Sequence, residues 1–142
     1  MLAMKMITAI PALPVAKMTD GVRFYHETLG FAVAHQEDGF AVLTRDQIQI
    51  HLWGATDESW RTRKDGKPIE SGAESFLAGT HSCRIEVDGI DELYRELEPK
   101  KVMHPNAPLA NKPWGTREFG VSDPYGNLIT FFQGLKITDN LA

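Results

Sequence analysis

Two short stretches hold the side chains best placed for chemistry. His81-Ser-Cys83 puts an imidazole and a thiol two residues apart, which on a strand is one face and a spacing that metals use. That face continues through Ile85 and Val87, so it reads as a packing surface, with Cys83 in the core and His81 at a strand edge. The second stretch is Ile48-Gln-Ile-His-Leu-Trp53. There Ile48, Ile50 and Leu52 alternate with Gln49, His51 and Trp53, giving one aliphatic face and one polar and aromatic face. Such a face can meet water, or line a groove in which an indole and an imidazole stack on and hydrogen-bond a ligand without reacting. No HExxH, phosphate-cradling glycine loop or Gly-x-Ser-x-Gly turn is present. His26, His35 and His104 have no sequence partner that suggests catalysis, and Trp60-Arg-Thr-Arg-Lys64 reads as a solvated loop.

Composition narrows the function classes. A chain of 142 residues with 42% hydrophobic content supports one compact domain, residues 1–142. Nineteen acidic against 15 basic residues give a net charge of −4 with no basic block, which argues against nucleic acid and suits a cationic small ligand. The single cysteine excludes an internal disulfide and fits a reducing cytoplasm. The apolar run at residues 6–16 contains Pro11 and Pro14, is too short for a bilayer and lacks a cleavage pattern. A cytoplasmic location with no membrane partner is expected.

The elements that must position these residues repeat. Val15, Met18, Val22 and Tyr25 match Val87, Ile90, Tyr94 and Leu97 at a constant offset of 72 residues. Each set begins with an apolar strand, passes a polar turn and enters an amphipathic helix. Thr19 is expected to cap the first helix and Gly30 to end it; Asp91 is expected to cap the second and Pro99 to close it. Short strands follow: FAVAHQ, FAVLTR and IQIHLW in the first half, and a strand around Val102, REFGVS and NLITFFQ in the second. The organisation is module 1 at about 7–53, a connector at about 54–80 and module 2 at about 81–133.

This order, with the phrases FYHETLGF, DGIDELYREL, HLW and PWGTREFGVSDPYGNL, resembles the vicinal oxygen chelate superfamily of glyoxalases, extradiol dioxygenases and antibiotic-resistance proteins. EDGF at residues 37–40 and PWGTRE followed by DPYGN resemble the bleomycin resistance branch in particular. The resemblance implies an α+β fold of two βαβββ modules that form a cupped mixed sheet, in a domain-swapped homodimer. Pro11, read as the end of the first strand, fits a strand leaving its own module.

Catalytic members of the superfamily hold a divalent metal on four strand positions, which fall here at Ile10, Gln49, Ser82 and Thr130. Isoleucine cannot ligate, and the other three are poor neutral ligands; the expectation is no metal, no cofactor and no catalysis. The resemblance implies instead that Phe40 and Trp114, the latter in the turn with Gly115, stack on a planar drug of the bleomycin family; beside them His51 and Trp53 are expected to line the groove and Asp38 and Glu86 to supply counter-charge. Glu37 and Glu118 are further sources of counter-charge, Arg84 is expected to take part of the charge of Glu86, and Trp60 and Phe76 of the connector are candidates to fold over the groove. The rival readings are a metal-dependent glyoxalase- or dioxygenase-like enzyme with displaced ligands at His51, His81 or Glu86, and a binding protein for another metabolite.

Overall fold

The computed structural model describes residues 3–65, 74–75 and 81–136. The first half runs β1 (Ala12–Val15), α1 (Met18–Arg23) continued by a π-helical turn (Phe24–Thr28), β2 (Ala32–Glu37), β3 (Phe40–Arg45) and β4 (Ile48–Gly54). The second runs β5 (Ser82–Glu86), α2 (Ile90–Leu97) continued by a 3-10 turn (Glu98–Lys100), β6 (Ala110–Asn111), β7 (Thr116–Ser122) and β8 (Leu128–Gly134). The strand orders are β1-β4-β3-β2 and β5-β8-β7-β6. In each sheet the first strand lies parallel to the last and the other pairs are antiparallel. The fold is thus α+β, one βαβββ pattern built twice.

Both sheets bury their aliphatic faces in one core. Ala41, Leu43, Ile50 and Leu52 from the first sheet meet Ile85, Phe119, Val121, Ile129 and Phe131 from the second, with Met18, Val22, Tyr25, Ile90 and Leu97 of the helical segments between them. Alternation along each strand then turns the opposite faces away from that shared core. The two motifs FYHETLGF and DPYGN meet inside it: the Tyr25 hydroxyl donates to Asp123 Oδ2 at 2.8 Å, and Asn127 Nδ2 donates to Asp123 Oδ2 at 2.7 Å and to the Pro14 carbonyl at 2.9 Å.

Local chemistry departs from expectation at several places. Thr19 is no cap, because α1 starts two residues earlier than such a cap requires, at Met18, with Lys17 at the N-cap and no side-chain cap. Asp91 lies inside the first turn of α2 and pairs with Arg117 at 2.9 Å. The cap of α2 comes from β8: Gln133 Oε1 accepts the N–H groups of Gly89, at 3.0 Å, and Ile90, at 2.8 Å. Gly89 reaches this position with φ +102, a left-handed conformation that favours glycine. Gly30, at φ +75, follows the first helical segment, and Pro99 sits in the 3-10 turn beyond α2.

The strand expected around Val102 is only a bridge between Met103 and Val121; the short edge strand β6 comes later. β1 begins after Pro11, so Ile10 precedes the strand and Pro11 does not end it. Pro11 still offers its carbonyl to the His51 N–H at 3.0 Å, and Pro14 is tolerated because β1 is an edge strand. In the connector, Trp60-Arg-Thr-Arg-Lys64 is not simply solvated: Arg61 pairs with Glu58 at 2.6 Å, and Arg63 pairs with the buried Glu74. Phe76 lies outside the described residues.

Candidate functional site

The outward face of the first sheet carries an aromatic cluster. Phe40 opens β3 directly after the exposed Asp38-Gly39 turn, and register sets it opposite Trp53 on β4, while Val42 stands opposite His51. The Phe40 ring lies 4.9 Å from Trp53 and 5.0 Å, edge-on, from His51, with His35 at 6.3 Å. His51 Nε2 donates to Gln49 Oε1 at 2.5 Å, which fixes the imidazole against its strand. His35 Nε2 stands 3.2 Å from Glu37 Oε2 on the adjoining edge strand. Three of the expected site residues, Phe40, His51 and Trp53, are therefore in contact, on a face that leaves Trp53 40% exposed.

The outward face of the second sheet is built around a carboxylate. Trp114 is 65% exposed in a tight turn closed by Gly115 N–H to the Lys112 carbonyl at 3.0 Å and by Lys112 N–H to the Thr116 carbonyl at 2.7 Å. Gly115 adopts φ +94, which a side chain would resist. Trp114 Nε1 points to Glu118 Oε2 at 3.4 Å, and Lys112 Nζ sits 5.9 Å from the indole. Glu118 is 6% exposed and also accepts the Thr116 hydroxyl at 2.7 Å and both Arg84 Nη atoms, at 3.2 and 2.8 Å. Those donors, Arg84 foremost, hold its carboxyl at about 2. Arg84 in turn lies over the Phe132 ring, 4.7 Å from its centroid.

This arrangement corrects two expectations. The counter-ion of Arg84 is Glu118 and not Glu86, because β5 and β7 flank β8 and the guanidinium crosses β8 over Phe132, the register partner of Glu118. Glu118, expected as a free counter-charge for a ligand, is already engaged by three side chains. Its role in joining Arg84, Thr116 and Trp114 goes beyond that expectation, although Trp114, Thr116 and Glu118 within PWGTRE carry the signal. Glu86 is exposed on β5 opposite Phe132.

Among the described residues, no hydrogen bond or ring contact joins the Phe40 cluster to the Glu118 cluster. Trp60 packs under the Arg61 guanidinium, 4.6 Å away, and makes no ring contact with either. A cleft of about 640 Å³ opens on the core side between the modules, lined by Ile48, Ile85, Leu93, Glu96 and Phe131; of the expected site residues it includes only Glu86.

At the four superfamily ligand positions, Ile10 precedes β1, Gln49 is held by His51, Ser82 stands opposite Leu128, and Thr130 lies between Arg84 and Gly120. Among the described residues no group of three or more His, Cys, Asp or Glu side chains could hold a metal ion. Cys83 is half-buried against the core, where burial pushes its thiol up to about 11. The chemistry these two faces offer is aromatic stacking and hydrogen bonding.

The family model of the glyoxalase/bleomycin resistance protein/dioxygenase superfamily matches residues 7–131. A bleomycin resistance protein of Geobacillus stearothermophilus is 53% identical over 131 residues, covering 92% of this chain and 99% of that protein. A Staphylococcus aureus bleomycin resistance protein matches to the same extent. Among solved structures, the bleomycin-binding protein of the bleomycin producer Streptomyces verticillus, in complex with copper(II)-bleomycin, superposes with a TM-score of 0.69 at 27% identity, covering 93% of this chain and 99% of that one. Among the described residues no helix is long and apolar enough to cross a membrane.

Proposed function

We propose binding rather than catalysis for this chain, which belongs to the glyoxalase/bleomycin resistance protein/dioxygenase superfamily: it takes up a bleomycin-type glycopeptide and keeps it from its target. The observation that carries this reading is the cluster on an outward sheet face in which Phe40 meets His51 edge-on and Trp53 at a tilt, with His51 committed to Gln49. Rings held in this way offer a fixed surface to a flat ligand at small entropic cost. The identity to bleomycin resistance proteins over nearly the whole of their length supports the choice of ligand. Resistance by this route is stoichiometric and acts in the cytoplasm, with no bond broken and neither nucleic acid nor membrane as partner.

The groove is a property of two chains. Phe40, His51 and Trp53 face away from the shared core on one side, and Trp114, Arg84 and Glu118 on the other. A ligand held between the two faces therefore needs one face from each protomer of a homodimer. The segment before β1, with Met4, Met6 and Ile7 exposed at 82%, 87% and 79%, is the part exchanged between them. Asp38 and Glu86 stand exposed to meet a cationic tail.

Calorimetric titration of metal-stripped protein with copper-loaded and metal-free bleomycin tests the reading. The expected result is saturation near one drug per chain at about micromolar affinity or tighter, with the drug recovered intact. Absence of binding, or chemical change of the drug, overturns it.

A further inference from the structure

The Glu118 cluster places a guanidinium on a face that is to hold a cationic ligand. We propose that Glu118 is the positioning residue that makes this face acceptable to a planar cation: its carboxylate cancels the charge of Arg84 and ties Arg84 and Trp114 into one surface beside Phe132. For the ligand the inference rests on the binding function above; for the geometry it does not.

The burial is lopsided. The Glu118 side chain is 8% exposed and that of Arg84 48%. A carboxylate withdrawn from water is costly unless its lone pairs are filled, and here Arg84, Thr116 and Trp114 supply four donor contacts to its two oxygens. The two-pronged Arg84 contact fixes the guanidinium in the fork geometry that arginine alone provides. Since an indole has only one polar atom, a bond at Nε1 orients its edge toward Glu118 and leaves the ring face opposite Lys112 for stacking.

The charge balance then separates ligand classes. With Glu118 ionised, Arg84 adds no net positive charge to the face, and the exposed Glu86 offsets Lys112 beside the Trp114 ring. Without Glu118, the guanidinium would repel a cation and attract an anion. Phe132 carries the crossing: it is the register partner of Glu118 on β8, and the Arg84 guanidinium lies over its ring on the way to the carboxylate.

The test compares wild type, Glu118→Gln, Arg84→Gln and the double variant. Each is titrated with bleomycin and with the bleomycin derivative in which the positively charged terminal amine is replaced by a carboxylate. Glu118→Gln is expected to weaken binding of the cationic form about tenfold and to strengthen binding of the carboxylate form, while the double variant returns to the wild-type preference. An unchanged preference in Glu118→Gln, or a double variant that does not recover, overturns the proposal and assigns Glu118 a purely structural role.

Quenching of Trp114 emission by iodide and by caesium, taken as the difference from a Trp114→Phe protein, reads the same masking without the drug. Glu118→Gln should raise the iodide-to-caesium ratio and the double variant restore it; a ratio that stays constant overturns the proposal. If wild type binds neither form of the drug, the bleomycin function fails, and the quenching ratio still decides the charge masking.

Discussion

The Tyr25 hydroxyl donates to Asp123 at 2.8 Å across 98 residues of sequence, and by this bond the two modules are joined inside the core. Tyr25 has no exposed surface, and Asp123 also accepts Asn127 Nδ2 and the N–H groups of Tyr125 and Asn127. Tyr25→Phe removes one donor from a buried carboxylate and leaves the ring in place. It should lower stability by about 2 kcal/mol with little change in ligand affinity. Urea unfolding followed by near-ultraviolet circular dichroism measures the first quantity, and titration the second.

Much of this architecture was legible along the chain because it is local. The alternation in Ile48–Trp53 assigns each side chain of β4 to its face, and the Asp38-Gly39 turn marks the start of β3 at Phe40. The repeat of Val15, Met18 and Val22 at Val87, Ile90 and Tyr94 announces the two modules. What stayed hidden depends on strand order. Arg84 looks like a partner for Glu86, two residues on, until β8 is placed between β5 and β7 and puts Glu118 within reach. The same holds for Asp91, displaced as cap by a glutamine more than forty residues away.

That cap is separable from the site. Gln133 Oε1 accepts two of the first free N–H groups of α2, a role ordinarily filled by a serine or aspartate next to the helix. Gln133→Ala should cost about 1 kcal/mol of stability. Amide hydrogen exchange at Gly89 and Ile90 should accelerate more than exchange in β3, which would distinguish loss of the cap from general loosening.

Acid should expose the Arg84–Glu118 pair. In the folded chain the Glu118 carboxyl is held at about 2, against 4.5 for the free group. A depressed carboxyl stabilises the folded state above its unfolded value, and that contribution fades as pH falls from about 4.5 toward about 2. Because Arg84 is half exposed, solvent screening reduces the effect to about 1–2 kcal/mol. The stability gap between wild type and Glu118→Gln should therefore be constant above about pH 5 and shrink below it. Urea midpoints at pH 6, 4 and 3 measure it; a gap that widens with acid contradicts the assignment.

Trp114 is the simplest single position at which to separate binding from folding. Its ring is 65% exposed, so Trp114→Ala should change the unfolding midpoint little. Loss of a stacking contact should weaken bleomycin binding about tenfold, from about 0.5–1.5 kcal/mol of ring interaction together with lost burial. Calorimetry and thermal unfolding on the same sample compare the two, and unchanged affinity would remove the second face from the groove.

The proposed two-chain groove makes a prediction that no single variant can. Phe40 and Trp114 lie on faces directed away from one shared core, so in the proposed homodimer the groove that uses Phe40 of one protomer uses Trp114 of the other. A Phe40→Ala homodimer and a Trp114→Ala homodimer each have two damaged grooves. Unfolding them together and refolding the mixture yields heterodimers in which one groove carries both substitutions and the other carries neither. With random pairing, about half the dimers are mixed, so about a quarter of all grooves should bind at wild-type affinity. Titration of the refolded mixture should show this tight class above a weak background. If each groove is instead built within one chain, every groove in the mixture keeps one substitution and no tight class can appear.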